Sequence, residues 1–180
     1  MRNRLATMGL CLVLATLTVC VAPATAEKAA KPLMKIGVYD SRGVAIAYAR
    51  SAEFQQRMAN LRSDFEQAKA KGDDKRMKEL EQEGQWMQVR LHQQGFSTAG
   101  VANIMARVAD ALPGIAREAG VVLIVSKWEM PYVDPSIETV DVTLPIARLF
   151  VPDEQKLKIL GELKDQKPVP FDELGLDPND

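Results

Sequence analysis

His92 is the sole histidine of the 180-residue chain, and it lies among Gln88, Arg90, Gln93 and Gln94 on a stretch expected to be helical. A histidine that binds a metal needs further ligands converging on it, and the neighbouring glutamines and arginine supply none. A solitary histidine in such company is most often a solvated surface residue. No Ser/His/Asp arrangement is credible when the one histidine sits on a projecting segment. The nearest approach to a paired carboxylate is Asp73-Asp74. Helix capping and solvation of a turn explain that pair better than acid–base chemistry does. Gly72, Gly95 and Gly100 lack the strand-to-helix context that a phosphate-cradling loop requires. These residues predict a protein that is not an enzyme, with no catalytic residue, no cofactor and no metal.

The side chains better suited to function are apolar. Trp86, Met87 and Phe96, with Met58 and Phe65, are candidates for gripping a client polypeptide. Methionine and aromatic groups adapt to many apolar partners, and promiscuous binders use them for that reason. Packing is the competing explanation. It is favoured for Met87, which falls on a heptad position, whereas Trp86 falls one residue off it.

The elements that must position these groups follow from the spacing. Lys35-Ile-Gly-Val-Tyr39 is an expected strand, and Asp40-Ser41 can cap a short helix through Val44, Ile46, Ala47 and Ala49. Phe54, Met58, Leu61, Phe65 and Ala68 step by four, three, four and three residues, the a/d rhythm of a coiled-coil seam. Gly72 stops this leg, and Asp73 or Asp74 caps a second one. Met77, Leu80, Gly84, Met87 and Leu91 repeat the rhythm in reverse, which predicts an antiparallel helical hairpin. Gly84 weakens that seam. Gly95 to Gly100 is expected to kink the return leg, and Pro113-Gly114 to bend or restart it before Gly120. Val121-Val-Leu-Ile-Val-Ser126 is wholly apolar, so it is expected to be a central strand buried on both faces. A short third strand is expected near Tyr132-Val133, then a helix capped by Thr143 with Pro145 in its first turn.

Composition and the ends complete the expectation. Arg2 and Arg4, the apolar run Leu5 to Val21 and the small-x-small Ala24-Thr25-Ala26 predict a signal peptide over 1–26, cleaved after Ala26, and hence an exported protein. Val19 before Cys20 argues against a lipoprotein signal. Both cysteines, Cys11 and Cys20, fall inside the signal, so no disulfide framework and no thiolate chemistry is expected afterwards. Removing Arg2 and Arg4 from 23 basic residues leaves 21 against 24 acidic ones, a formal charge of −3. That is no footprint for nucleic acid. The expected organisation is a flexible lead at 27–33 and an α/β body from 34–50 and 120–150. A helical hairpin arm over 51–119 has its tip at 71–75; a C-terminal helix at 151–166 and a disordered acidic tail at 167–180 follow. The fold class is therefore α+β, a small sheet body with a coiled-coil hairpin inserted between strands. Ile36, Val38, Val122 and Ile124 are the candidate body core.

Several pieces now line up in order: the opening strand to Asp40, the Ala52-Glu-Phe helix start and the tip Lys69-Ala-Lys-Gly-Asp-Asp-Lys75. The Gly120-Val-Val-Leu-Ile-Val strand, Tyr132-Val, and Val140-Asp-Val-Thr143 come after them. Together they resemble the Skp (OmpH-type) family of periplasmic chaperones over roughly Lys35 to Phe150. The resemblance implies a homotrimer whose strands build a small barrel-like body, with helical arms around a cavity, and it would make Ile36, Val38, Val122 and Ile124 the trimer interface as well. That cavity would hold unfolded outer-membrane or envelope proteins without ATP. This chain departs from the family in its shorter arms, its acidic balance and its extra sequence after Phe150. The acidic balance argues against contact with lipopolysaccharide, and no motif for it is matched. The alternative is a coiled-coil adaptor or structural envelope protein that docks one specific partner. An all-α cradle chaperone is disfavoured by the strand at Val121 to Val125.

Overall fold

The computed structural model describes residues 34–163 and 166–174 of the chain, without the side chains of Lys156 and Ile159. The expected signal peptide, the lead at 27–33 and the last six residues lie outside the described residues. The fold is α+β: a three-stranded parallel sheet, β1 (Lys35–Tyr39), β2 (Leu123–Ser126) and β3 (Glu138–Asp141), ordered β2-β1-β3. In register, Ile36 faces Leu123 and Thr139, and Val38 faces Val125 and Asp141.

Side chains alternate between the two faces of a strand. Tyr39, Ile124 and Val140 therefore share one face, and it is this face that enters the main core. Ile36, Val38, Leu123 and Val125 share the other. The candidate body core is thus divided: Ile124 packs with the helices, Ile36 and Val38 lie half-buried on the opposite face, and Val122 is 69 % exposed.

The apolar β2 is an edge strand, not the expected central one, and Leu123 is 51 % exposed. The centre belongs to β1, which carries Gly37. A methyl group there would stand 3.1 Å from Val121 Cγ2 and 3.2 Å from the carbonyl oxygen of Leu123, so the glycine lets the two strands close up. The third strand is also displaced from its expected place: residues near Tyr132 and Val133 form part of an irregular return, and β3 begins only at Glu138.

Helix α1 (Ser41–Ala49) is the hub of the body. Gly43, Ala45 and Ala47 are small enough to let neighbours approach on several sides, and most of the helix is buried. One side joins Tyr48, Phe54, Val101, Ile104, Ile115, Val142 and Ile146 in the main core. Ala47 joins a second cluster formed by Ala147, Val151, Leu157, Leu160 and Leu163, from α6 (Thr143–Arg148) and α7 (Glu154–Leu163) and the turn between them. Thr143 is the first helical residue of α6 rather than its cap. Its hydroxyl instead accepts the backbone N–H of Asp40 at 2.9 Å.

Between β1 and β2 the chain runs out along α2 (Ala52–Lys71) and back along α3 (Asp74–Phe96). Ser51 ties α2 to the body, accepting the Phe54 N–H at 3.1 Å while donating to the Tyr48 carbonyl at 2.6 Å. Gly72 ends α2 with φ +69°, the left-handed region that favours glycine, and Asp73 accepts the Arg76 N–H at 3.0 Å to start α3. Ala68 and Leu80 are buried where the two helices meet, and Arg57 reaches Glu83 at 3.4 Å. Leu61, Phe65, Met77, Met87 and Leu91 are half-buried, and Gly84 lies opposite Leu61.

The excursion is shorter than the expected arm. α3 stops at Phe96, so the chain leaves the helix at the place of the expected kink, Gly95 to Gly100. The segment after it, α4 (Ala102–Met105), a 3₁₀ stretch to Ala111 and α5 (Leu112–Ala119), contributes Val101, Ile104 and Ile115 to the body core. Pro113 falls in the first turn of α5, where its missing N–H costs nothing, so it restarts the helix. The C-terminal stretch differs too. Residues 166–174 are placed against the body end of α3, with the Val169 N–H donated to the Phe96 carbonyl at 2.9 Å and a short 3₁₀ turn at Phe171–Glu173.

Candidate functional site

Two places concentrate functional chemistry. The first lies where β1, β2 and β3 end, the usual location of ligand sites in parallel sheets. Asp40, directly after β1, is buried with its side chain 8 % exposed. Its Oδ1 accepts the Arg42 N–H at 3.0 Å, Arg42 Nε at 3.1 Å and Trp128 Nε1 at 3.0 Å. Its Oδ2 accepts Arg42 Nη2 at 2.8 Å and Lys127 Nζ at 2.8 Å. Arg42, itself buried, also donates to the carbonyls of Leu163 and Gln166 at 3.0 and 2.9 Å, so it ties the end of α7 to the strand ends. The Trp128 ring lies beside both cations, 5.1 Å from the Arg42 guanidinium carbon and 4.5 Å from Lys127 Nζ.

Burial alone would push the Asp40 carboxyl upward. Hydrogen bonds from Arg42, Lys127 and Trp128, together with the Arg42 charge, override it and hold the group at about 2. A carboxylate offers about four lone-pair directions, and five donors already use them. Asp40 has no capacity left for a substrate proton. Tyr39 is pushed up to about 12, by burial and then by the Glu129 charge, and is no acid or base near neutrality. A cavity of about 120 Å³ beside the cluster, bordered by Asp141, Thr143 and Leu160, is smaller than a usual ligand cleft. The constellation locks the ends of β1 and β2 to the C-terminal helix.

The sequence signal for it was available only in part. Asp40-Ser41-Arg42 reads as a helix cap, and Asp40 does cap α1; nothing local announces that Arg42 turns inward or that Lys127 and Trp128 arrive from far along the chain.

The second place is an open groove of about 640 Å³ where α2 and α3 leave the body. Tyr48 and Phe54, edge to face at 5.3 Å, form its floor, and Trp86, Met87 and Leu91 line it from α3. Arg57, Arg90 and Arg107 supply charge, opposed by Glu83. Arg107 pairs with Glu53 and stacks over the Tyr48 ring at 5.1 Å. Gln94, buried at the rim, donates its amide to the Gly100 carbonyl at 2.9 Å and to Asn103 Oδ1 at 2.7 Å, which fixes the junction between α3 and the body.

The candidate client-binding residues divide by exposure. Trp86 is 59 % exposed, Phe96 52 % and Met58 39 %. Met87 is half-buried against the core, and Phe65 is half-buried along the α2–α3 contact. Trp86 and Met87 share the groove; Met58 and Phe65 border a separate open trough of about 720 Å³ between α2 and Leu80 and Glu81 of α3; Phe96 stands apart, edge-on to His92 at 5.4 Å. His92 is half-buried by this contact instead of being fully solvated. Among the described residues no three His, Cys, Asp or Glu side chains are grouped to hold a metal, and no helix is long and apolar enough to cross a membrane.

Comparison with protein-family models, curated proteins and solved structures gave no match. The class is therefore defined by fold and site alone: an α+β body with an inserted helical excursion and a groove at its root.

Proposed function

We propose that the chain is a periplasmic, ATP-independent holdase that shields unfolded outer-membrane or envelope proteins, in the manner of the Skp family. The observation that carries this is the exposure of Trp86 and Met58 on the α2–α3 excursion, with Phe96 exposed at its body end. Large apolar groups left in solvent on a projecting element are available to an apolar partner. In this proposal α2 and α3 act as a coiled-coil arm and three chains share a body. The open outer edge of β2, with Val122 and Leu123 exposed, supports association, since unpaired edges invite pairing.

The experiment is suppression of aggregation of an unfolded outer-membrane protein at stoichiometric ratio, by the wild type and by Trp86→Ser with Phe96→Ser. Suppression by the wild type, weakened in the variant at unchanged trimer mass and melting temperature, is expected. A loss of stability of about 3 kcal/mol or more would mark both residues as packing groups, and no suppression by the wild type would end the proposal. The adaptor alternative draws on one observation, the defined polar rim of the groove formed by Arg57, Arg90, Asn103 and Arg107. Binding of a single partner, with no general suppression, would favour it.

A further inference from the structure

The groove at the root of the excursion has a charge that the rest of the molecule does not share. The whole chain carries a formal −1, yet the groove is lined by Arg57, Arg90 and Arg107 against Glu83 alone. Glu83 meets Arg57 at 3.4 Å with both side chains half exposed, a loose pair. Glu53 occupies Arg107. Arg90 has no ion-pair partner among the described residues, and it stands four positions after Trp86, one helical turn along the same face of α3. An unspent guanidinium therefore lies next to an exposed indole, over a floor of Tyr48 and Phe54.

From this juxtaposition we infer that the groove docks an extended polypeptide segment in which an aromatic or large aliphatic side chain is flanked by a carboxylate. The apolar side chain stacks on Trp86 and Met87, and the carboxylate meets Arg90. An arginine fork takes a carboxylate through two parallel hydrogen bonds, which lysine cannot match. The volume, about 640 Å³, lies within the usual range for ligand clefts and suits a few residues rather than a folded surface. The inference rests on the proposed client-binding role and narrows it: gripping along the excursion is general, but the groove at its root selects acidic–apolar segments.

Two dye-labelled peptides of equal length test it, one alternating Phe with Asp and the other Phe with Lys, titrated into the purified full chain and followed by fluorescence anisotropy. The Asp peptide is expected to bind about tenfold more tightly at low salt, from one attraction replaced by one repulsion of about 0.7 kcal/mol each. Arg90→Gln should cut that preference to about threefold or less, and Trp86→Ala should weaken both peptides alike. Raising the salt should narrow the gap, because the groove is open to solvent. Equal affinity for the two peptides, an undiminished preference in Arg90→Gln, or no binding of either overturns the inference. The outcome is separable from the holdase assay. Aggregation suppression without acid preference removes the groove inference alone, whereas acid-selective binding without suppression supports the groove and removes the holdase.

Discussion

Replacing Asp40 with asparagine tests the cluster that holds the strand ends. Asparagine keeps the cap of α1 but removes the charge that balances Arg42. Arg42 is buried, and its remaining acceptors are the Leu163 and Gln166 carbonyls. Breaking a buried ion pair by removing one partner costs about 3–5 kcal/mol, because the other charge is left uncompensated. That is a large share of the about 5–15 kcal/mol that stabilises a typical domain. Part of the cost must depend on pH. The carboxyl sits at about 2 in the fold against an ordinary value of 3.8, and each unit is worth about 1.4 kcal/mol. The wild type therefore gains about 2 kcal/mol from this depression, and the side chain is too buried for solvent to screen much of it. Because the folded value is the lower one, the gain is complete above the unfolded value and is lost as pH falls from about 5 to about 2. Denaturant unfolding of wild type and Asp40→Asn across that range should show their difference shrinking by about 2 kcal/mol toward acid. Should the variant not fold, Lys127→Met at the exposed end of the cluster is expected to cost about 1 kcal/mol and to weaken the acid dependence. A cost under about 1 kcal/mol for Asp40→Asn at neutral pH, or a difference that does not narrow in acid, would refute the reasoning.

Two glycines give opposite expectations under the same unfolding assay. Gly43→Ala places a methyl group 2.9 Å from Thr143 Cγ2, so α1 and α6 must separate; a loss of about 1–3 kcal/mol is expected, and an unchanged midpoint would show that this contact is slack. Gly84→Ala meets Leu61 Cδ2 at an ordinary 3.5 Å inside a helix and should gain about 0.5–1 kcal/mol. Destabilisation there would mean that the α2–α3 contact is tighter than the distance implies.

The local grammar of the chain determined its helical excursion. Ser51, Gly72 and Asp73 each act through bonds to residues within a few positions, so their types and order suffice to set where α2 begins and ends and where α3 begins. The exposure of Trp86 was legible in the same way, because it falls off the heptad rhythm and stands in solvent, whereas Met58 falls on that rhythm and is exposed all the same. The sheet was decided at long range. Composition marks Val121 to Val125 as the most apolar strand, but centrality depends on which strand has two partners. Gly37 lets β2 close on β1, while the polar Glu138–Asp141 takes strand form in its pairing with the other edge of β1. The segment at 101–119 has the apolar period of an arm and is claimed by the body core instead, because period alone does not say which partner a helix will bury against. Asp40 states the difference most plainly. Its capping role and its ion pair with Arg42 lie within the two residues after it, whereas the Lys127 cation and the Trp128 N–H that complete its bonding are brought to it by the parallel pairing of β1 with β2.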